Sequence, residues 1–518
     1  MESDRLPALP RLLFLSALFT ASLFGAHAGV FAIPTGNYVW KEHGQLLEDG
    51  NGTAIPAPSS VVKLYEGNSS SGKAVAVTCN GTLCALKTQS QPHIHVFDAS
   101  GPIWDDSMCS GCGQGYMAAN PSTPIIDANA DLVTADSGKI VRFRRRSGTN
   151  RWAPVWSTRY AYNKTAVSII PTTDGSQLTV LTGATGEKGN PPPDTGGPVT
   201  TFSADTGRQI GNSLYPFCNM PGVLGVTPGM VCGTGTPSNF YQNTNSACSS
   251  DSVANVIYYV GQNAPQSQPN GAVIALQVLS APPGVREIAM SQLFSGPSGS
   301  SPMCHNGIVY TDVGSCHSSG SLGCGTPGAG VPGVIGLHES DLSTVFLRQY
   351  DPVTKTPPDV ANASAASFVW VPSLNLYATH QKNQRALYLR NPLTGDPTRA
   401  GGGITYDTSH VAESCKPTCL PGSDLTITHD AAGNDVAMMN IRATTSGNNI
   451  VGSVVALNLT SCLTRCASSA VWEFPFTKAM KVVTATGQYP LLTNPAGGSE
   501  VFFGVNGKGP FLLGEPGK

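Results

Sequence analysis

The chain reads as all-β, a ring of about eight four-stranded sheets, with seven as the alternative count, and three observations predict this. Charged residues are only 12% while 58 Gly and 40 Pro punctuate the chain. Hydrophobic residues still make up 40%, which is the composition of many short strands joined by turns rather than of a disordered chain. Beyond the N-terminal segment, no long run keeps apolar positions at helical spacing without Gly or Pro intruding. The third observation is a two-part pattern that recurs along most of the chain.

The N-terminal segment has the form of a secretory signal. Arg5 and Arg11 supply its positive end, Leu12 to Phe24 its apolar stretch, and Ala26-His27-Ala28 a small-residue cleavage site. The expected boundaries are therefore a signal peptide over 1–28, with cleavage after Ala32 as the alternative, a lead-in segment over 29–59 and a single propeller domain over 60–518. The apolar run is shorter than the ~20 residues that span a bilayer, and Pro34 soon follows it. No later segment is long and apolar enough to span, so the mature chain is expected as an exported protein without a membrane span, extracellular or in the secretory lumen or a vacuole. A net charge of −2 argues against a nucleic-acid partner for the chain as a whole.

Fourteen cysteines follow the signal, an even number that in an exported chain implies disulfides. The spacings favour local staples at Cys79/Cys84, Cys109/Cys112, Cys415/Cys419 and Cys462/Cys466. Cys218, Cys232 and Cys248, and Cys304, Cys316 and Cys324, fall in longer loops, so disulfide-bearing insertions belong to the expected fold. Short loops of this kind gain little chain entropy from closure and shape loops more than they staple a core. Sequons at Asn51, Asn68, Asn80, Asn163, Asn362 and Asn458 mark expected N-glycosylation sites on surface loops.

The first half of the repeating pattern is an apolar stretch broken by a polar turn, as in Thr123 to Asp136, Ser168 to Gly183, Ser301 to Gly314, Ser367 to His380 and Asp424 to Asn440. Each reads as strand, tight turn, strand. The second half is a strand followed by a Thr/Ser-Gly turn, with apolar anchors at Phe97, Phe143, Phe202, Leu276, Leu337, Leu389 and Leu457 and a weaker copy ending near Leu512. Successive anchors lie 46, 59, 74, 61, 52 and 68 residues apart, a spacing that suits four strands plus variable loops. Four-stranded sheets repeated in this way are the signature of a β-propeller, whose half-apolar sheets are stable only when stacked. An array of β-sandwiches is the main rival.

The repeats resemble those of the quinoprotein-dehydrogenase-like (PQQ-type) propellers over roughly residues 60 to 515. The likeness rests on pairs such as LTVLTG followed by VTTFSADTGRQIG, and on Trp104, Trp156 and Trp472, which follow the outer turn as the family's docking tryptophan does. It implies a fold in which that ring packs one blade against the next, and, for the family's enzymes, calcium and PQQ cofactors. Those enzymes usually carry two adjacent cysteines beneath the quinone, and no Cys-Cys dipeptide occurs here.

Asp127, Asn129 and Asp131 have the alternate spacing that converges on calcium, although Leu132 and Gly138 stand where the EF-hand pattern needs Gly and Glu. A hairpin turn is the competing reading. His93 and His95 flank Ile94 on a predicted strand and would share a face, with no third ligand in view. Cys109-Ser110-Gly111-Cys112 has the spacing of zinc and redox sites, but a Gly-rich loop in an exported chain favours a disulfide. Arg142, Arg144 and Arg146 alternate along a predicted strand, with Arg145 opposite and Arg151 beyond the turn. Their planar forks match the acidic groups of a sulfated or uronate polysaccharide, and a solvated edge strand that blocks aggregation is the other reading. No nucleophile-elbow, zincin or P-loop pattern occurs. The sequence is therefore read as a monomeric binding scaffold for a glycan or an extracellular protein. A PQQ- and calcium-dependent alcohol or sugar dehydrogenase and a polysaccharide-acting hydrolase are the alternatives.

Overall fold

The computed structural model describes Val39–Trp40 and, from Ala74 onward, the strands with their shorter turns. Residues 1–38 and 41–73 and the longer connections, among them 106–123, 183–198, 215–239, 314–331 and 406–419, lie outside the described residues, and side chains are described mainly between 124 and 398. Among the described residues the strands form eight antiparallel sheets. The first runs Ala74–Asn80, Leu83–Thr88, Ile94–Asp98 and Gly101–Asp105, and the second Ile125–Ile126, Leu132–Asp136, Lys139–Arg145 and Trp152–Arg159. The third is Ala166–Pro171, Gln177–Thr182, Val199–Ser203 and Gln209–Leu214. In the fourth, Phe240–Tyr241 and Cys248–Ser249 both pair with Val256–Asn263, followed by Gly271–Ser280 and Pro283–Met290. The fifth is Met303–His305, Ile308–Val313, Gly333–His338 and Thr344–Gln349, and the sixth Ser367–Val371, Leu376–His380, Ala386–Arg390 and Ile404–Thr405. The seventh is centred on Asp435–Thr444 and Asn449–Asn458.

The eighth sheet closes the ring with the two ends of the chain. Leu491–Thr493, Val501–Val505 and Gly509–Leu513 are completed by Val39–Trp40, which pairs Val39 with Leu513 and Trp40 with Leu512. The segment expected as a lead-in thus supplies the outermost strand. Ala74–Asn80 of the first sheet also touches Val501–Val505 of the last, so the sheets form a closed β-propeller. Among the described residues no helix is long and apolar enough to cross a membrane.

The core lies between sheets rather than within them. Phe143, Leu132 and Val96 share one apolar cluster across the first and second sheets, and Phe202, Val180 and Ile140 another across the second and third. Corresponding clusters join the third to the fourth, the fourth to the fifth and the fifth to the sixth. Each fully buried Val, Leu, Ile or Phe contributes ~1.5–3 kcal/mol, and none of that burial exists for an isolated sheet.

Every expected anchor from Phe97 to Leu457 falls in the third strand of its sheet. In five sheets the third and fourth strands slip register immediately before the anchor, between Val96/Phe97, Arg142/Phe143, Ala275/Leu276, Gly336/Leu337 and Ala456/Leu457. A bulge of this kind increases local twist and re-aims the side chains beside it. The residue opposite the pre-anchor position is Trp104, Trp156, Phe346 or Trp472 in four of these sheets and Ala289 in the fourth.

Three of these rings, Trp104, Trp156 and Phe346, dock one sheet on the next. Trp104 lies 5.6 Å from both Phe143 and Trp152 of the second sheet. Trp156 lies on Gly207 of the third sheet, where an added Cβ would come within 2.5 Å of the ring, and its indole N–H donates to the Ala204 carbonyl at 2.9 Å. Phe346 packs in the same way on Gly395 of the sixth sheet, a role that the tryptophan pattern alone does not reveal. Both glycines sit at positive φ, 66° and 69°.

One interface inverts the arrangement. The turn of the fifth sheet carries Leu342 at φ 58° with its N–H on the His338 carbonyl at 2.9 Å, as Gly207 bonds Ser203 and Gly395 bonds Asn391, each at 2.9 Å. Leu342 is buried in the same cluster as Ala289, the small residue of the fourth sheet's outer strand. Where the outer strand offers no ring, the turn residue fills the space itself.

The fourth and fifth sheets are also joined covalently by Cys248–Cys304, with Cα atoms 5.6 Å apart and a sequence separation of 56. The spacing argument does not identify this pair. Replacing both cysteines by Ala should cost about 2–3 kcal/mol, in the lower half of the usual range because Asp251 still ties the two sheets. The unfolding midpoints of the oxidised wild type and the double variant would measure it, and equal midpoints would show the bridge to be idle.

Candidate binding face

In an antiparallel meander the first and third turns of every sheet leave from one end, and the second turn and the connection to the next sheet leave from the other. The first and third turns, most of them short, therefore gather on one face, the short-turn face. The strand ends that the longer connections join lie at the opposite end, and by sequence those connections carry Cys109, Cys112, Cys218, Cys232, Cys316, Cys324, Cys415 and Cys419. These cysteines lie outside the described residues, as does Cys466.

Neighbouring turns on the short-turn face are locked together. Thr173 of the third sheet donates its N–H and its hydroxyl to the Asn255 side-chain oxygen of the fourth, each at 2.8 Å. Asp251 of the fourth accepts the Asn306 N–H of the fifth at 2.8 Å and lies 3.3 Å from His305 Nδ1. The His305 ring packs at a tilt against Trp370 of the sixth sheet, with ring centres 4.0 Å apart. Buried Glu339 accepts hydroxyls from Ser250 and Ser252, while its carbonyl accepts the Tyr258 hydroxyl at 2.6 Å. Burial, with the Glu339 charge nearby, pushes the Tyr258 phenol up to about 12, so it stays a donor. A hollow of about 320 Å³ lies where the third and fourth sheets meet, between Thr172 and Ser250 to Asn255. The turn at its edge is held by Asp174, whose carboxyl is lowered to about 2 by the Thr172 hydroxyl and then by Ser176. No sequence motif marks this junction, because its residues come from four different sheets.

The Asp127 to Asp131 segment is a hairpin turn. Asp127 Oδ1 accepts the N–H groups of Asn129 and Asp131 at 2.8 and 2.9 Å. Its other oxygen, Oδ2, takes Arg142 at 2.7 Å, and Asp131 Oδ2 takes the same guanidinium at 3.0 Å. Arg142 further donates to the Ala204 carbonyl of the third sheet at 2.8 Å. It is 7% exposed on the third of four strands, so it belongs neither to a solvated edge strand nor to a surface patch with Arg144 and Arg146. Ile140, two residues earlier, packs in the cluster shared with the third sheet, and strand alternation puts Arg142 on that same face. Calcium takes about six to eight oxygen ligands. The oxygens of Asp127 and Asp131 face a guanidinium and backbone amides instead, and among the described residues no three His, Cys, Asp or Glu side chains gather as a metal site.

Beyond Arg142 the strand leaves the core. Arg144, Arg145, Arg146 and Arg151 are exposed. Arg144 reaches back to Asp131 at 3.2 Å. The Arg145 guanidinium lies over the Trp152 ring, 5.4 Å from its centre, and donates to the Thr149 carbonyl and the Asn150 side chain at 3.2 and 2.7 Å. A hollow of about 570 Å³ opens here, lined by Asn129, Arg145, Arg146, Ser147, Thr149 and Asn150 together with Gly148.

His93 lies outside the described residues, and His95 is placed by backbone only, opposite Leu86 and Asp105. Cys79 and Cys84 face each other in register across the hairpin of the first sheet, and Cys462 ends a short helix, Leu459–Cys462. Asn51, Asn68, Asn163 and Asn362 lie outside the described residues, and Asn80 ends a strand at a hairpin. Asn458 is different. It ends a strand between Leu457 and Leu459, both 0% exposed, and the Thr460 hydroxyl of its sequon accepts the Asp435 N–H at 3.0 Å.

No family model matches the chain, and no curated protein matches it. Among solved structures, Sqt1 of Saccharomyces cerevisiae is 12% identical, with 89% of this chain and 100% of that one covered and a TM-score of 0.49. The quinohemoprotein alcohol dehydrogenase of Comamonas testosteroni is 10% identical over 89% and 77% of the two chains, with a TM-score of 0.44. A chain of the COPII outer coat vertex is 12% identical over 86% and 99%, at 0.41. Likeness at this level says nothing about ligand or chemistry.

Proposed function

We propose that the chain is an exported, N-glycosylated propeller that works as a binding scaffold, holding a glycan or protein ligand on its surface turns. The observation that supports this reading is the short-turn face, where hydrogen bonds, ring docking and a disulfide tie consecutive sheets from the second to the sixth. A surface fixed in this way presents ligand-contacting groups with little entropy left to lose on binding. The short export signal, the sequons and the even cysteine count agree with a place outside the cytosol.

Two measurements on the purified mature chain test the reading. A glycan array should give saturable binding to at least one glycan class without its consumption. Thermal unfolding should be unmoved by PQQ and calcium, since a cofactor held by the native state raises the midpoint by mass action. A rise with both together, accompanied by alcohol or sugar oxidation, would replace the scaffold reading with a dehydrogenase.

A further inference from the structure

We infer that the arginine turn of the second sheet, Arg144 to Arg151, is a binding site for the acidic groups of a sulfated or uronate-bearing glycan, an assignment that rests on the scaffold reading above. Five arginines fall between residues 142 and 151 with no acid among them, in a chain whose net charge is −2. The carboxylates facing them are Asp127 and Asp131, and Arg142 engages both. Arg144 meets Asp131 through Nε alone, and Arg145 is paired only with neutral oxygens. The turn therefore keeps an excess of positive charge at the surface.

It is also ordered for a ligand. Contacts to Thr149, Asn150 and the Trp152 ring fix the Arg145 fork beside the hollow of about 570 Å³, the scale of a small-ligand site, so little side-chain entropy remains to be lost. At Gly148 an added Cβ would meet nothing within 4 Å, which leaves the floor of the turn open. Asn129 and Asn150 supply donors and acceptors for hydroxyl groups beside the charges. The cluster is all arginine, and the planar guanidinium fork matches carboxylate and sulfate oxygens two at a time, where lysine would act as a point charge. A compact hollow with a few cations suits one or two acidic sugar residues. A nucleic-acid backbone or an anionic membrane would call for a longer basic stripe or a wider basic surface.

The test uses the full mature chain with its disulfides formed and compares binding to heparin and polygalacturonate with binding to neutral dextran. Wild type should bind at least one of the acidic polymers, more weakly as salt rises, and leave dextran alone. The variant R145A/R146A/R151A should lose binding tenfold or more while staying folded, its unfolding midpoint lowered only by the loss of the Arg145 contacts to Trp152, Thr149 and Asn150. R159A/R286A/K355A removes the same charge from exposed positions elsewhere and should bind like wild type. Equal loss in both variants would reduce the effect to net charge and overturn the assignment. So would arginine-dependent binding that is stronger for DNA, for phosphatidylserine vesicles or for an acidic peptide than for either polysaccharide. Binding of a neutral glycan that ignores the arginines would overturn this site and leave the scaffold standing; absence of all glycan and protein binding would remove both.

Discussion

Asp359→Asn should cost about 3–5 kcal/mol, because it strips the counter-ion from a cation that has no access to water. Arg390 is 0% exposed, and its guanidinium holds Asp359 Oδ2 at 2.6 Å, the Asp359 and Gly395 carbonyls at 2.8 and 2.9 Å, and the Thr379 hydroxyl at 2.9 Å. Arg348 takes Asp359 from the other side at 2.7 Å and also reaches Asp396. This ion cluster joins the fifth sheet, the segment Pro358–Val360 and the sixth sheet at one point. Because a ring of sheets need not unfold in a single step, the appropriate readout is amide hydrogen exchange along Ser367–Val371 and Ala386–Arg390 as well as the urea midpoint. The double variant D359N/R390M should lose less than the two single losses added together, since removing both charges leaves neither one buried alone.

The pH dependence of that cluster has a definite sign. Burial pushes the Asp359 carboxyl up, but the Arg348 and Arg390 guanidinium groups outweigh it and hold the group below the ordinary carboxylate range. A carboxyl with a depressed folded-state pKa contributes stability that is present above the unfolded value and lost as pH falls through the folded one. Wild type should accordingly weaken on the acid side at this joint, whereas D359N should show a flatter acid limb. Identical limbs would mean that Asp359 carries no such linkage.

Gly207→Ala should cost about 3 kcal/mol from two separable sources. A left-handed backbone charges any L side chain ~1–2 kcal/mol, and forcing a methyl into a filled space adds ~1–3 kcal/mol. At Gly207 both apply, with φ at 66° and the Trp156 ring 2.5 Å from the added Cβ. Gly148 and Gly175 provide the control, since each has φ of 70° and nothing within 4 Å of the position of a Cβ. Their Ala variants should show the backbone cost alone. In W156A/G207A the overlap disappears, so the double variant should be less destabilised than the sum by at least ~1 kcal/mol. Simple additivity would show that the ring does not dock on that glycine.

How much of this was legible in the sequence differs from residue to residue. The hairpins at Ser168 to Gly183 and Ser301 to Gly314 and the anchors from Phe97 to Leu457 follow from alternation and turn chemistry, which act between residues a few positions apart, whereas the docking role of Trp156 came from the resemblance to the quinoprotein-type repeats. Phe346 escaped a motif written around tryptophan, although the Thr394-Gly395 turn that receives it was visible. The Arg142, Arg144 and Arg146 stripe was legible as a cluster, but alternation could not show where the strand runs out of the core, leaving Arg142 buried and Arg144 and Arg146 exposed. The turn from Arg144 to Arg151 is what remains of that stripe at the surface.

By itself the sequence determined an all-β chain, the positions of its turns and anchors and the number of strands per repeat, because period-two burial and the backbone preferences of Gly, Asn and Asp are local properties. The tertiary structure alone decided which side chains face the next sheet. It chose Arg142 and Arg390 to be buried and Arg145 to be exposed, Leu342 to stand where Gly207 and Gly395 stand elsewhere, and Cys248 to meet Cys304. It also brought Val39–Trp40 to the last sheet to complete the ring. Those outcomes depend on what the adjoining sheet offers across the interface, a carbonyl, a ring or a gap, and that partner lies tens to hundreds of residues away along the chain.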